Sequence, residues 1–208
     1  MLGGKRKGAG RKSVGARAGV SHRARPVLSK HHPVHITLRV VEGLPSLRGR
    51  RVFVAVKSAL IAGAERFGFR LIHFAVLSNH LHLVAEADDR EALATGMKGL
   101  EVRLARAINR VAERRGAVFS DRYHVQILRS PPQTRNAIAY VLNNFRRHAG
   151  QAGRTLTARF VDPCSSAAWF DGWCEFRAGR TLLARANSWL LREGWRKRGA
   201  ISISIVPG

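Results

Sequence analysis

At 208 residues, 45% of them hydrophobic, the chain is long enough for one domain with extensions or for two small domains. Lys and Arg number 37 against 13 Asp and Glu, which gives a net charge of +24. So large a positive excess is most simply explained by a polyanionic partner: nucleic acid is the leading candidate, and an anionic membrane surface is the rival. No apolar run approaches the ~20 residues of a membrane-spanning helix, and we expect no signal peptide because no apolar segment follows the charged start.

Composition divides the chain into three segments. Residues 1–32 carry nine Lys and Arg and no acid, and their lack of apolar periodicity is typical of a disordered basic arm. Residues 33–149 carry the periodic patterns of a folded domain. Residues 150–208 form a basic appendage that contains all four tryptophans, most of which we expect to pack against the domain rather than stack on bases.

The two cysteines, Cys164 and Cys174, lack the CxxC spacing of a zinc site. We therefore expect two free thiols in a reducing cytosol and no disulfide framework.

The periodicity of apolar residues predicts four strands and three helices in the central segment. The strands are predicted at residues 34–41, 69–77, 80–86 and 122–129. The helices are predicted at residues 53–67 with Gly68 as the end, from Asp88-Asp89 to Gly116, and at 133–149 after Pro131-Pro132. In the appendage we predict a short helix at residues 180–192 and a short strand at residues 201–205.

The element order in the central segment is β-α-β-β-α-β followed by one more helix. This order predicts an α+β fold of the ferredoxin-like type, in which two helices back one face of an antiparallel sheet. The other face is then available for a ligand, and the last helix is an addition to the basic fold.

The third predicted strand contains two histidines separated by one apolar residue. Because successive side chains of a strand point to opposite faces, His80 and His82 share one face while Leu81 and Leu83 point into the core. Two neighbouring imidazoles suit a divalent metal ion, although an alternating pair on a solvated strand is the commoner situation.

The predicted helix at 133–149 supplies the residues that strengthen the metal interpretation. Tyr140 and Asn144 are four residues apart and lie on the same helical face. A phenol and an amide could thus approach the same ion from a second element. Tyr123, at the start of a predicted strand, is the competing tyrosine, but it has no polar residue one helical turn later.

These motifs resemble those of the HUH-type single-tyrosine transposases, especially the REP-associated branch. The resemblance covers residues 34–148 and rests on the motif at residues 79–82 and on the tyrosine helix. Two positions depart from the pattern: Leu77-Ser78 replaces Met-Pro, and Phe145 replaces the Pro that often follows the metal-binding Asn.

The resemblance implies a fold, a reaction and a ligand set. His80, His82 and Asn144 would bind Mg²⁺ or Mn²⁺, while imidazoles alone would also suit Zn²⁺. Tyr140 would attack a phosphodiester of single-stranded DNA beside a hairpin and form a 5′-phosphotyrosine, which allows rejoining without ATP. The resemblance also implies a cytoplasmic, nucleoid-associated protein, acting as a monomer or a homodimer.

Arginines along the central segment are candidates for contacts with the DNA backbone, which would be sensitive to salt. The candidate DNA-binding residues are Arg39, Arg103, Arg106, Arg110, Arg122, Arg146 and Arg147. Two other functions stay open at this point. One is a nucleic-acid-binding protein that kept the fold without turnover, and the other is a replication-initiating nickase, which the absence of a helicase segment disfavours.

Overall fold

The computed structural model describes residues 27–177 and 179–207. Five strands lie at Val34–Arg39 (β1), Glu65–Arg66 (β2), Phe69–Val76 (β3), His80–Ala87 (β4) and His124–Ile127 (β5). Four α-helices lie at Arg50–Ala62 (α1), Arg90–Val111 (α2), Pro131–Gln151 (α3) and Trp189–Arg192 (α4). Short 3-10 helices occur at Ala167–Trp169 and Gly194–Arg198.

The predicted basic arm mostly lies outside the described residues. Its last part, residues 27–32, is described, and Leu28 there is buried in the hydrophobic core. Of the residues assigned to this arm, Leu28 therefore belongs to the core of the central domain.

The strands form one antiparallel sheet in the order β2-β3-β4-β1-β5. The strand β1 pairs with both β4 and β5, and β3 pairs with β4 with a register irregularity between Leu71 and His73. Without the two-residue β2, this is the strand order of a ferredoxin-like sheet, so the predicted fold class is confirmed.

Each face of the sheet has its own core. Leu81 and Leu83 of β4 pack with the apolar stripes of α1 and α2. Val84 belongs to a second core with Ile138 and Leu142 of α3 and with the chain after residue 160. The face that the fold leaves free of α1 and α2 is thus largely covered by α3 and the appendage, and it is not an open surface.

Two predicted helix ends are wrong. The first helix ends at Ala62 instead of Gly68, because Glu65–Arg66 turns back and pairs with β3. The apolar spacing included Phe67, whose side chain is 73% exposed at the tip of this hairpin. The second helix begins as predicted, with Asp89 accepting a hydrogen bond from the backbone of Ala92, but it ends at Val111 before reaching Gly116.

Both predictions for the appendage need correction. Only Trp189–Arg192 is α-helical within the predicted helix at 180–192. The predicted strand at 201–205 forms a single bridge from Ile201 to Trp173. The indoles of Trp173 and Trp195 are buried, as expected from packing, whereas Trp189 is 47% exposed.

Polar contacts attach the appendage to the central domain. Arg48 forms a bidentate ion pair with the buried Asp162, with N–O distances of 2.9 and 2.7 Å, and its guanidinium lies 3.7 Å from the ring centroid of Phe145. Phe145, which stands where a Pro was expected from the resemblance, therefore stacks on this arginine. Asn143 donates to the carbonyl of Ser202 at 3.1 Å.

Both cysteines are free thiols. Cys164 is buried and Cys174 is exposed, a difference that was not predicted. No helix in the described part of the chain is long and apolar enough to cross a membrane.

Candidate active site

Two rows of side chains face each other between the sheet and α3. His82 and His80 lie on β4 with their ring centroids 4.9 Å apart. On α3, the ring of Tyr140 lies 5.1 Å from that of His82, and the ring of His148 lies 5.6 Å from that of His80. Asn144 lies between Tyr140 and His148, one helical turn from each. The structure therefore brings together the four residues singled out from the sequence.

The hydrogen bond of His80 fixes the position of its proton. Its Nδ1 atom lies 2.8 Å from Oδ1 of Asn79, and an amide oxygen only accepts hydrogen bonds. Nδ1 therefore carries the hydrogen. The Nε2 atom keeps its lone pair, which is the form in which a neutral imidazole binds a metal ion.

His82 has the same nitrogen available. Its Nδ1 lies 3.1 Å from Nε2 of His35 and 3.1 Å from Oγ1 of Thr37, both on the neighbouring strand β1. Its Nε2 is buried and has no hydrogen-bond partner among the described residues. Histidines that bind metals commonly donate their second ring nitrogen to such a partner, which orients the ring.

Burial keeps these imidazoles neutral. Desolvation by burial, with smaller contributions from His35, His80 and His148, lowers the pKa of His82 to about 3. Desolvation likewise lowers the pKa of His80 to about 4, assisted by the charges of His148 and Arg39. At neutral pH each ring therefore carries a single hydrogen and keeps a lone pair on its other nitrogen.

Asn144 is the side chain that best fits the part of a metal ligand. Its side chain is fully buried, and neither its Oδ1 nor its Nδ2 has a hydrogen-bond partner among the described residues. A buried amide without partners costs about 1–3 kcal/mol, which folded proteins seldom leave unrecovered. Together with the two imidazole Nε2 atoms, the amide oxygen fits a divalent cation.

The donor set is a mixed one. Among the described residues, no group of three or more His, Cys, Asp or Glu side chains is placed to hold a metal ion. The fit therefore depends on Asn144 joining the two histidines, and mixed nitrogen and oxygen donors without thiolates are compatible with Mg²⁺ or Mn²⁺.

Two cavities open on either side of this cluster. The first, of about 550 Å³, is lined by Tyr140, His35, Gln126 and Asn136. The second, of about 610 Å³, is lined by His80 and His148 with three arginines. The arginines of the second cavity are Arg39, Arg48 and Arg154.

The predicted DNA-binding arginines are scattered around the fold. Arg39 lies opposite His80 across the β1–β4 pair, and the guanidinium of Arg147 lies 5.8 Å from the ring centroid of Tyr140. Arg122 lines a separate cavity beside α2. The remaining three on α2 lie on the side of the sheet away from the histidines. These are Arg103, Arg106 and Arg110.

Arg146 already has partners within the chain. Its guanidinium donates to the carbonyls of Ile203, Thr157 and Phe160 at 3.0 to 3.2 Å. Its contacts hold the appendage on α3, and the predicted contact of Arg146 with DNA stays a prediction. Tyr123, the competing tyrosine, is buried in the core on the opposite side of the sheet from the histidines.

Three residues of the site were not identified from the sequence. His35 and Thr37 lie on the polar face of β1, and His148 lies two helical turns after Tyr140. The alternation in β1 placed His35 and Thr37 on the same face, but only the β1–β4 register brings that face to His82. For His148 the sequence does hold a signal, because a spacing of i+8 from Tyr140 places it on the same helical face.

The chain was compared with known proteins. The family model described as "Transposase IS200 like" matches residues 29–144, more than half of the chain. No curated protein matches it. A solved structure of a REP-associated tyrosine transposase bound to a REP hairpin is similar in fold, with a TM-score of 0.55 and 14% identity over 71% of this chain and 82% of that one. The matched segment holds the strands β1, β3, β4 and β5 and the facing part of α3, so this chain belongs to the IS200-like transposase family.

Proposed function

We propose that this transposase cleaves and rejoins single-stranded DNA through a covalent 5′-phosphotyrosine, with Tyr140 as the nucleophile. His80, His82 and Asn144 would hold one Mg²⁺ or Mn²⁺ ion. The single observation that carries the proposal is the convergence, beside Tyr140, of a buried imidazole nitrogen and a buried amide that have no partner among the described residues.

A bound divalent ion would polarise a non-bridging phosphate oxygen and neutralise charge during the reaction. The chain's own residues orient the two imidazole rings and determine which ring nitrogen carries the hydrogen. His35 and Thr37 orient the ring of His82, and Asn79 orients that of His80. The α3 helix carries Tyr140 on the face that points to these rings, so the phenol is held beside the phosphate site without a large rearrangement.

The proposed substrate is single-stranded DNA next to a hairpin. The structurally similar transposase is described as bound to a REP hairpin, and the net charge of +24 suits a polyanionic partner. A covalent phosphotyrosine keeps the energy of the broken bond, so the same site can join the strand to another 3′-hydroxyl.

The test is capture of the covalent adduct. Radiolabelled single-stranded oligonucleotides with a hairpin, drawn from the DNA that flanks the gene, are incubated with the protein and Mn²⁺ and then resolved under denaturing conditions. We expect an adduct that migrates with the protein, that disappears in EDTA and that is absent from Tyr140→Phe. Tyr123→Phe, which alters the buried competitor, should retain it.

An adduct that persists in Tyr140→Phe would remove Tyr140 from the proposed role. Binding to DNA without any adduct in the wild-type protein would instead favour the second function, a non-catalytic nucleic-acid binder. The strongly positive charge is the observation in favour of that function, since charge alone suffices for binding.

A further inference from the structure

The side chains of α3 that face β4 are arranged in a line. Tyr140, Asn144 and His148 are spaced four residues apart, and a rise of about 1.5 Å per residue separates the first from the last by about 12 Å along the helix axis. The nearer histidine of β4 is His82 at the Tyr140 end and His80 at the His148 end. The metal site proposed at Asn144 therefore has the nucleophile on one side and His148 on the other.

The proposed reaction gives these two sides different roles. Attack by the Tyr140 oxygen forms one P–O bond and breaks the bond from phosphorus to the 3′-oxygen of the preceding nucleotide. The phenol loses one proton and the departing oxygen gains one, so the exchange balances without a further reactant. The attacking and departing oxygens lie roughly in line through phosphorus. The 3′-oxygen therefore departs away from Tyr140, toward His148.

The cavity on that side is suited to a nucleotide. It has a volume of about 610 Å³, and no acidic residue lines it. Arg48 is occupied by Asp162 and Phe145. Arg39 and Arg154 are different, because their guanidinium groups form no hydrogen bond or ion pair within the described residues.

These two arginines are therefore available for a phosphate. Arg39 is exposed on β1 opposite His80, and Arg154 lies with its guanidinium 5.5 Å from the ring centroid of Phe145. Arginine side chains pair well with phosphate oxygens because the guanidinium offers several donors in a planar fork. The cavity thus combines an exit for the 3′-oxygen with cations for the next phosphate along the strand.

We propose that the nucleotide on the 5′ side of the cleaved bond, which leaves with the 3′-hydroxyl, binds in the cavity formed by His148, Arg39 and Arg154. The nucleotide that stays on Tyr140 binds in the cavity lined by His35, Gln126 and Asn136. The proposal rests on the proposed function, and it assigns the direction of the strand across the site. In the rejoining step, an incoming 3′-hydroxyl strand would occupy the same cavity.

Crosslinking tests this direction without depending on turnover. The cleaved phosphate is first mapped with wild-type protein. Tyr140→Phe protein is then irradiated with two oligonucleotides that carry 4-thiothymidine immediately 5′ or immediately 3′ of that phosphate. We expect the 5′ label to attach to the peptide spanning 145–154. The 3′ label should attach to segments around 126–140 or 205–207.

The reversed pattern, or no crosslink from the 5′ label to any segment that lines the cavity of His148, would overturn the direction while leaving the wild-type adduct intact. Failure of the wild-type protein to form any adduct would instead overturn the proposed function, and this inference with it. The two failures are therefore distinguishable.

A second measurement tests the arginines. In wild-type protein, a neutral methylphosphonate one linkage 5′ of the cleaved phosphate should lower the rate of adduct formation about tenfold, the loss expected for one arginine–phosphate contact. The double variant Arg39→Ala, Arg154→Ala should be slower on normal DNA and show no additional loss with the methylphosphonate. If the methylphosphonate slowed the double variant as much as it slows the wild-type protein, Arg39 and Arg154 would not be the residues that contact this phosphate.

Arg66→Ala is the matched control. Arg66 is exposed on β2, which pairs with the start of β3, at the end of the sheet away from His80. This variant should show the same tenfold sensitivity to the methylphosphonate as the wild-type protein.

Discussion

The Nδ1 atom of His80 donates a hydrogen bond to the side-chain oxygen of the preceding residue, Asn79, at 2.8 Å. Two adjacent residues of the turn into β4 therefore determine which ring nitrogen is free to bind a cation. We therefore expect Asn79 to position the hydrogen of His80 in addition to forming the turn.

Asn79→Ala should weaken the binding of Mn²⁺ by about tenfold, because the loss of a partner that orients a metal-binding histidine commonly costs 10- to 100-fold in affinity. Titration of Mn²⁺ followed by electron paramagnetic resonance measures this directly. Ser78→Ala, one residue earlier, leaves the hydrogen bond of His80 in place and should bind Mn²⁺ like the wild-type protein. Unchanged affinity in Asn79→Ala would show that the ring is oriented by other contacts.

Asn144→Leu should raise the free energy of unfolding in EDTA by about 1–2 kcal/mol, since it replaces two unpaired buried polar atoms with an apolar group of similar size. The neighbouring variant Asn143→Leu should have the opposite effect, because Asn143 donates to Ser202. Urea denaturation of both variants provides the comparison.

Addition of Mn²⁺ extends the test of Asn144. An ion at 100 times its dissociation constant stabilises a protein that binds it only when folded by about 2.7 kcal/mol. Wild-type protein should show this stabilisation, whereas Asn144→Leu should show little of it. Equal stabilisation of the two proteins by Mn²⁺ would exclude Asn144 as a ligand.

The sequence predicted the elements that carry the reacting groups better than it predicted the rest of the chain. The alternation around His80 and His82 and the i, i+4 spacing of Tyr140 and Asn144 are local patterns, and the structure places all four together. The assignment of these residues as metal ligands and nucleophile stays a prediction.

The errors arose where tertiary contacts override local spacing. Phe67 has helical spacing but belongs to a hairpin tip with a φ of 53°. In the appendage, the buried carboxylate of Glu86 accepts hydrogen bonds from the backbone of Asn187 and Ser188, each at 2.8 Å. That contact spans about a hundred residues of sequence and fixes where α4 begins, so no local pattern could have revealed it.

Two glycines of α2 should respond oppositely to the same change. A Cβ atom added at Gly96 would clash with the Cβ of the buried Phe69, so Gly96→Ala should destabilise the protein by about 1–3 kcal/mol through overpacking. At Gly99 nothing lies within 4 Å, and Gly99→Ala should stabilise the helix by about 0.5–1 kcal/mol. Denaturation midpoints of the two variants measure the contrast, and similar midpoints would show that α2 does not pack as described.

We expect Arg39 to contact DNA and Arg146 to stabilise the fold. Arg39→Ala should leave the unfolding midpoint unchanged and reduce the slope of log K against log salt for single-stranded DNA by about one unit. Arg146→Ala should lower stability by about 1–3 kcal/mol, because the carbonyls of Ile203, Thr157 and Phe160 lose their donor.

A normal salt slope in Arg39→Ala would remove that residue from the DNA interface. Undiminished stability in Arg146→Ala would show that the appendage does not depend on its guanidinium.

The helix that carries Tyr140 also carries Asn143 and Arg146, which bind the end of the chain. Exchange of this helix with a neighbouring copy would first require the contacts of Asn143 and Arg146 with residues 202–203 to break. We therefore expect Tyr140 to act together with the histidines of its own chain. Moving a DNA segment requires both of its ends to be severed, so with one tyrosine facing the histidines in each subunit, excision would need either two molecules working in concert or one molecule working twice.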